Sequence, residues 1–517
     1  MTSQSANGNS ALPPRLARAG LLNTGIGLFS AALTFLSLAL IASRFGGSAG
    51  SDAYFYLLSL VAVGTALLGG ILSAVLLPQL VEVRVKSGLV QVSELASALL
   101  AWLLLLCALL ALALALFHGP FFAFASRFSA EQVQSQHAIL GWLGPVLVLS
   151  VLAEYLRILL LGVGRYAEAA CMALLTPTTL VAVLLLDHSL SEAELATALA
   201  FSKGLMVAAA MFLLMREGMR LLPRLGGSAP LARFARISAP YASASVVTQL
   251  SVFFFDYMAS GLGTGVLTAV TLAHRIFALP LMLMVTPLLE IARVRFAELR
   301  ATNDEAAFQR QYDQLSVLVL YMVLPAAALL FIFPGEIVAL LFQRGAFNAQ
   351  DAEVAAACLK VLALSVPLGC FFTLNGRVVE SFQQLNLPSL LGSIGNLCLM
   401  ALTYILVGAM GFIGIPLSRL LVDLGYLLPF GLWMLHHHRV HVRFVSLGRA
   451  LLRAGLSCAI PLSLALWLQS SLTASGRSVP VAWTLAAVAA MGVFYAVLVW
   501  VLDPQARLAL RSLRGGA

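Results

Sequence analysis

Apolar runs of about 18 residues or more recur along this chain almost without pause, which is the length a helix needs to cross the hydrocarbon core of a bilayer. Of the 517 residues, 61% are hydrophobic and 10% are charged, a balance that excludes an ordinary water-soluble globule. In hydrocarbon a segment must satisfy its own backbone amides, so these runs read as helices, and the alternation of barrel strands is absent. Fourteen spans are expected, at 20–43, 54–81, 95–117, 138–163, 167–187, 193–215, 240–259, 266–292, 314–334, 352–382, 388–409, 411–435, 447–469 and 480–502. The expected fold class is an all-α polytopic membrane protein of about 14 transmembrane helices.

The second half repeats the first. Phe117-His118-Gly119-Pro120 returns as Phe333-Pro334-Gly335-Glu336, and Ala42-Ser43-Arg44-Phe45-Gly46 returns as Ala259-Ser260-Gly261-Leu262-Gly263 at nearly the same offset. Six spans precede a basic loop with Pro223, Gly226, Gly227 and Pro230, and six follow it. Because six is even, both repeats run in one orientation, related by an axis along the membrane normal. A duplicated membrane protein works at the seam between its halves, which points to a transporter. The expected organisation is a cytoplasmic tail (1–19), an N-terminal six-helix lobe (20–222), a cytoplasmic linker (223–239), a C-terminal six-helix lobe (240–436), and a two-helix appendage with its tail (437–517). The two lobes should surround a central cavity.

Basic residues set the orientation. With the N-terminus in the cytoplasm, 23 of the 31 Lys and Arg fall on cytoplasmic flanks, four (Arg44, Arg127, Arg344, Arg477) fall outside, and four (Lys203, Arg275, Lys360, Arg419) lie within spans. That asymmetry predicts both termini on the cytoplasmic side. The net charge of +9 then reflects orientation and attraction to anionic lipid headgroups rather than nucleic-acid binding. The first span reads as its own signal-anchor.

All six cysteines fall within apolar spans at unrelated spacings, so they read as small buried hydrophobes, with neither a disulfide framework nor a metal site. His436, His437, His438 and His441 have metal-like spacing but sit in a basic loop without carboxylate or Cys partners. No nucleophile elbow, phosphate-binding glycine loop or Walker motif occurs, so the chain reads as no enzyme, and no cofactor is expected.

Four motifs, in order, resemble the MurJ/MviN family of the multidrug/oligosaccharidyl-lipid/polysaccharide flippase superfamily. Ser51-Asp52-Ala53-Tyr54-Phe55 resembles the motif opening that family's second span, and Leu76-Leu77-Pro78 the one closing it. Leu272-Ala273-His274-Arg275-Ile276, with Pro280, resembles the eighth-span pattern; Arg344-Gly345-Ala346-Phe347 with Asp351 resembles the outer-loop motif. The resemblance covers about residues 20–435. It implies a flippase that moves an undecaprenyl-diphosphate-linked saccharide, typically the peptidoglycan precursor lipid II, across the bacterial inner membrane by alternating exposure of the cavity. It also implies membrane lipids and cell-wall or polysaccharide synthesis enzymes as partners. An exopolysaccharide or O-unit flippase, a cation-coupled drug exporter of the same superfamily, and a non-transporting scaffold for cell-wall enzymes are the alternatives.

The resemblance also marks departures. The first-span positions where lipid II flippases carry arginine read Ala31 and Ser37, and the second-span region is Gly64-Thr65. Arg275 remains, a cavity-facing guanidinium expected to pair with the diphosphate, with His274 beside it but turned about 100° away. Asp256 and Asn396 match two positions of a sodium site found in some members, whereas the position four after Asn396 is Met400. Coupling to sodium, protons or the membrane potential is therefore assigned to Asp256 and Asn396, with neutralisation of Arg275 as the competing role of Asp256. Arg377 and Glu380 are read as an inner-mouth, substrate-binding pair or a plain salt bridge. Arg419 and Asp423 are read as a structural pair one helical turn apart, Asp52 as the N-cap of span two, and Lys203 and Lys360 as side chains reaching toward an interface.

Overall fold

The computed structural model describes residues 14–187, 189–223, 245–382 and 386–474. Among these residues all regular structure is helical. The long helices are α1 (Pro14–Phe45), α2 (Ala49–Ser87), α3 (Leu89–Leu116), α4 (Leu143–Gly162), α5 (Tyr166–Leu186) and α6 (Glu192–Arg216) in the first lobe. The second lobe has α7 (245–259), α8 (Val266–Ala301), α9 (Glu305–Ile332), α10 (Ala349–Glu380), α11 (Asn386–Met410) and α12 (Gly414–Val422, continued to His437). A further helix, α13 (Phe444–Ala474), packs on α9. Ten stretches of the described residues are long and apolar enough to cross a membrane, one of them running through both α11 and α12. The expected span at 480–502, the tail before residue 14 and the linker beyond residue 223 lie outside the described residues.

The internal repeat has a structural counterpart. Phe117 (φ −114°, ψ 27°) starts the eight-residue helix His118–Ala125, and Phe333 (φ −115°, ψ 42°) starts the eight-residue helix Pro334–Leu341. Both α2 and α8 contain a widened π turn, at Leu72–Leu76 and Leu281–Val285. A third lies in α12, at Asp423–Leu427. Each turn ends just before a proline (Pro78, Pro287, Pro429). Proline lacks the amide hydrogen and its ring crowds the carbonyl one turn back, so the helix relaxes locally to a wider turn.

The bundle has two unlike ends. One bears the basic side chains Arg84, Arg165, Arg220, Arg293, Arg377 and Arg439 and is called the basic end. At the other, the sealed end, polar caps stop the helices: Ser48 accepts from the Ser51 amide, and Ser191 and Asn348 form capping boxes with Glu194 and Asp351. The main core is one continuous apolar cluster through both lobes, with Tyr54, Tyr56, Tyr155, Tyr312 and Phe296 among its largest fully buried side chains, and a smaller cluster of Val317, Tyr321, Ala450 and Ala454 joins α9 to α13.

Candidate functional site

The two lobes meet at the sealed end. Asp52, buried in the first turn of α2, accepts from the Gly265 amide at 2.6 Å, the Thr268 amide at 2.8 Å and the Thr268 hydroxyl at 2.7 Å. The expectation that Asp52 caps its own helix is corrected: Ser48 does that, and Asp52 caps α8 of the other lobe. A carboxylate at a helix N-terminus gains both orphan amides and the helix dipole. From the second lobe Asp351 answers, accepting from the Gly47 amide at 3.1 Å. The Ala346 amide donates to the Ser43 carbonyl at 2.7 Å and the Arg127 amide to the Ser260 hydroxyl at 3.0 Å. Phe35–Phe342 and Tyr56–Phe253 contacts, with ring centroids 5.4 and 5.8 Å apart, fill the space between these bonds.

Below this layer the faces that meet at the sealed end become accessible, with the Ser59–Asp256 contact still joining the lobes. Positions seven apart on a helix share a face two turns, about 10 Å, further along. On α2, Asp52 is buried, Ser59 half-buried, and Ala66 and Gly70 on the same face are exposed. On α8, Thr268 is buried while Arg275 and Met282 are exposed. The faces that seal against each other at one end are therefore open toward the basic end, with small side chains on the α2 wall. Arg275 is the first charged group on the α8 wall.

At the Arg275 level Ser59 donates to the Asp256 carboxylate on α7, a further bond between lobes. Arg275 lies within electrostatic reach of Asp256, but no Arg275 ion pair within 4.0 Å occurs among the described residues. Asp256 is thus held by the other lobe's hydroxyl rather than clamped on the arginine. His274 is half-buried between Phe255 and Phe277, its Nδ1 3.1 Å from the Val270 carbonyl, and does not share the exposed face of Arg275.

The other expected site residues lie elsewhere. Asn396 bonds Thr248 (3.2 Å) and Ser251 (3.1 Å) on α7, more than a turn nearer the basic end than Asp256. Asp256 and Asn396 thus have different hydrogen-bond partners. Arg377 pairs with Glu380 on its own helix (3.0 Å) and with Glu290 on α8 (2.7 Å). Glu290 is fifteen residues beyond Arg275, so this cluster ties α10 to α8 near the basic end, far from Arg275. Arg419 and Asp423 pair at 3.0 Å, as their spacing predicts. Sequence reasoning missed Ser59, Gly265 and Thr268, and it named Asp351 only as part of a motif, without its Gly47 partner. The signal for two of them was present: Ser59 stands seven after Asp52, and Thr268 seven before Arg275. No group of three or more His, Cys, Asp or Glu able to hold a metal occurs among the described residues.

Two helical lobes, joined at one end through Asp52 and Asp351 and accessible around Arg275 below it, have the architecture of a two-lobed membrane transporter. A sequence profile described as lipid II flippase MurJ matches residues 41–487. The chain belongs to the MurJ family. It is similar to the probable lipid II flippase MurJ of Rhizobium meliloti, 26% identical over 395 residues, or 72% of each chain. Shorter matches occur with the proteins of the same name from Bdellovibrio bacteriovorus (25% over 176 residues, 34% of each) and Rhizobium tropici (30% over 140 residues, 26% of this chain and 25% of that one). These two matches therefore span about a third and a quarter of the relatives' lengths.

The solved structure of lipid II flippase MurJ in an inward closed conformation superposes with TM-score 0.78 at 17% identity, covering 93% of this chain and 98% of that one. An inward-facing multidrug resistance MATE family transporter gives 0.68 at 14% identity, covering 81% and 98%. An outward-facing one gives 0.55 at 14% identity, covering 82% and 94%. At such identities the likeness establishes the fold.

Proposed function

We propose that this protein flips an undecaprenyl-diphosphate-linked saccharide of the lipid II type across the bacterial inner membrane, and that Arg275 receives the diphosphate. The carrying observation is the shared face of α2 and α8, buried at Asp52 and Thr268 and exposed two turns below, where Arg275 is the first charge. A polar headgroup with two phosphates cannot cross about 30 Å of hydrocarbon unaided, because charge there costs several kcal/mol or more. A guanidinium meets a phosphate through two parallel N–H bonds, and does so more strongly where water is scarce.

The basic flanks assign the basic end and both termini to the cytoplasm. The sealed end is then the outer one, and the state is inward-facing. Transport follows if the Asp52, Asp351 and Ser59–Asp256 contacts break as the lobes rock and close at the basic end. Asp256, the carboxylate that bridges the lobes at the Arg275 level, is the group assigned to couple this motion to an ion gradient or the membrane potential.

The test is complementation of a conditional lipid II flippase depletion strain. The wild-type chain restores growth and Arg275→Ala does not. A well-expressed wild type that fails overturns the peptidoglycan assignment and favours another lipid-linked saccharide; full activity of Arg275→Ala removes the diphosphate role.

A further inference from the structure

The first lobe holds a second charged constellation within its spans that the reading above leaves unused. Glu154 and Arg157 stand three residues apart on α4, and Arg157 reaches back in a two-point pair, Nε to Oε2 at 2.8 Å and Nη2 to Oε1 at 2.6 Å. Lys203 on α6 is half-buried and within electrostatic reach of Glu154. Arg157 thus lies within α4, the helix against which the Lys203-bearing α6 packs. Two cations and one anion leave an excess of one positive charge.

The constellation borders the opening between the lobes. Glu154 lies against α2 so closely that a Cβ on Gly69 would stand 2.9 Å from its Cγ. The next residue, Gly70, belongs to the exposed α2 face below Ser59, with nothing within 4 Å of where its Cβ would be. The Glu154 and Arg157 side chains keep 21% and 29% of their surface accessible, so a solute can reach them. Gly69 is ten residues beyond Ser59, which puts the constellation about 15 Å nearer the basic end than Arg275. An uncompensated charge inside a membrane is costly to keep and is found where it meets a substrate or ion pathway.

We propose that Arg157 and Lys203 form a second anion subsite, at the basic-end mouth of the cavity, which takes the diphosphate before it reaches Arg275, with Glu154 as the counter-ion that the diphosphate displaces. The inference rests on the flippase reading. The guanidinium fork that grips a carboxylate fits a phosphate equally, and Lys203 adds a compact point charge. When the diphosphate leaves for Arg275, Glu154 re-pairs with Arg157, so the subsite exchanges one anion for another and does not trap its cargo. The first lobe thereby regains cations that Ala31, Ser37, Gly64 and Thr65 do not supply.

The experiment uses the full chain in nanodiscs of phosphatidylethanolamine and phosphatidylglycerol, with undecaprenyl diphosphate as the probe and thermal unfolding followed in parallel. Lys203→Met removes the excess charge yet leaves Glu154 and Arg157 paired, so it folds. The expected result is at least tenfold weaker binding at an unchanged melting temperature, restored by Lys203→Arg, with Glu154→Gln binding more tightly than the wild type. Wild-type affinity in Lys203→Met alongside weak binding in Arg275→Ala overturns the subsite and leaves the flippase reading standing. A fall in both melting temperature and affinity that Lys203→Arg does not restore assigns Lys203 a structural role and also overturns it. Absence of binding by the wild type overturns both.

Discussion

Asp52 of the first lobe accepts from both the amide and the hydroxyl of Thr268 in the second, at 2.8 and 2.7 Å, so one lobe's carboxylate caps the other lobe's helix. Hydrogen bonds to a charged group contribute about 1.5–3 kcal/mol each, enough together to decide which of two lobe arrangements is populated. Asp52→Ala is expected to loosen the sealed end and shift the population toward the form open there. Spin labels at positions 134 and 343, both exposed and on opposite lobes, report this in a cysteine-free background as a longer inter-label distance. An unchanged distance distribution removes Asp52 from the seal.

Two glycines make the neighbouring contact possible. Gly46 and Gly345 both have φ of +59°, and a Cβ would come within 2.3 Å of the Ala346 carbonyl at the first and 2.1 Å of the Ser43 carbonyl at the second. Gly345→Ala thus combines a left-handed backbone, costing about 1–2 kcal/mol, with a backbone collision. It is expected to weaken complementation and lengthen the same label distance. Gly335→Ala, with nothing within 4 Å of its Cβ position, serves as the neutral comparison.

Asp423 is 2% exposed and its guanidinium partner Arg419 is 3.0 Å away on the same helix. Removing one member of a buried pair strands the other charge, at a cost of about 3–5 kcal/mol. Arg419→Ala should therefore lower the apparent unfolding temperature in detergent markedly, whereas the double variant Arg419→Ala/Asp423→Ala recovers most of the loss. Equal damage from the single and double variants refutes a local neutral pair.

At the basic end His438 stacks on Phe382 at 4.2 Å, and Arg300 sits 4.6 Å over the same ring. Burial first, then the charges of His437 and Arg300, lower the His438 pKa. A histidine held neutral in the folded state contributes its full stability above the unfolded value of about 6.5. That contribution is lost as the pH falls below that value toward the lowered one. The strap beside it, where Gln309 exchanges two hydrogen bonds with the His441 backbone (2.7 and 2.9 Å), should then exchange amide hydrogens faster at pH 5.5 than at 7.5 after correction for intrinsic rates. His438→Phe should abolish the difference.

The site was partly legible in the chain. Arg275 stands out because a lone arginine in an apolar run is rare, and Arg419 and Asp423 pair at the spacing that puts them on one face. Asp52 was visible as a residue but not as a partner, because the helix it caps is more than 200 residues away. Asp256 and Asn396 looked like neighbours by resemblance, yet α11 meets α7 at Thr248 and Ser251, below the level of Asp256. Residue spacing fixes position along a helix, and relative depth between helices depends on how they pack.

By itself, the sequence determined that the chain forms membrane helices and which flanks are basic, and it pointed to two like-oriented repeats. Each of those follows from local composition, because hydrocarbon forces every apolar run to satisfy its own backbone. Only the tertiary structure decided where the lobes touch, that Asp52 and Asp351 reach across the seam, and that Ser59 rather than Arg275 holds Asp256. It also decided that the Glu154–Arg157 pair lies against Gly69. Those are contacts between distant segments, set by side-chain packing and helix depth, which neither hydropathy nor charge along the chain encodes.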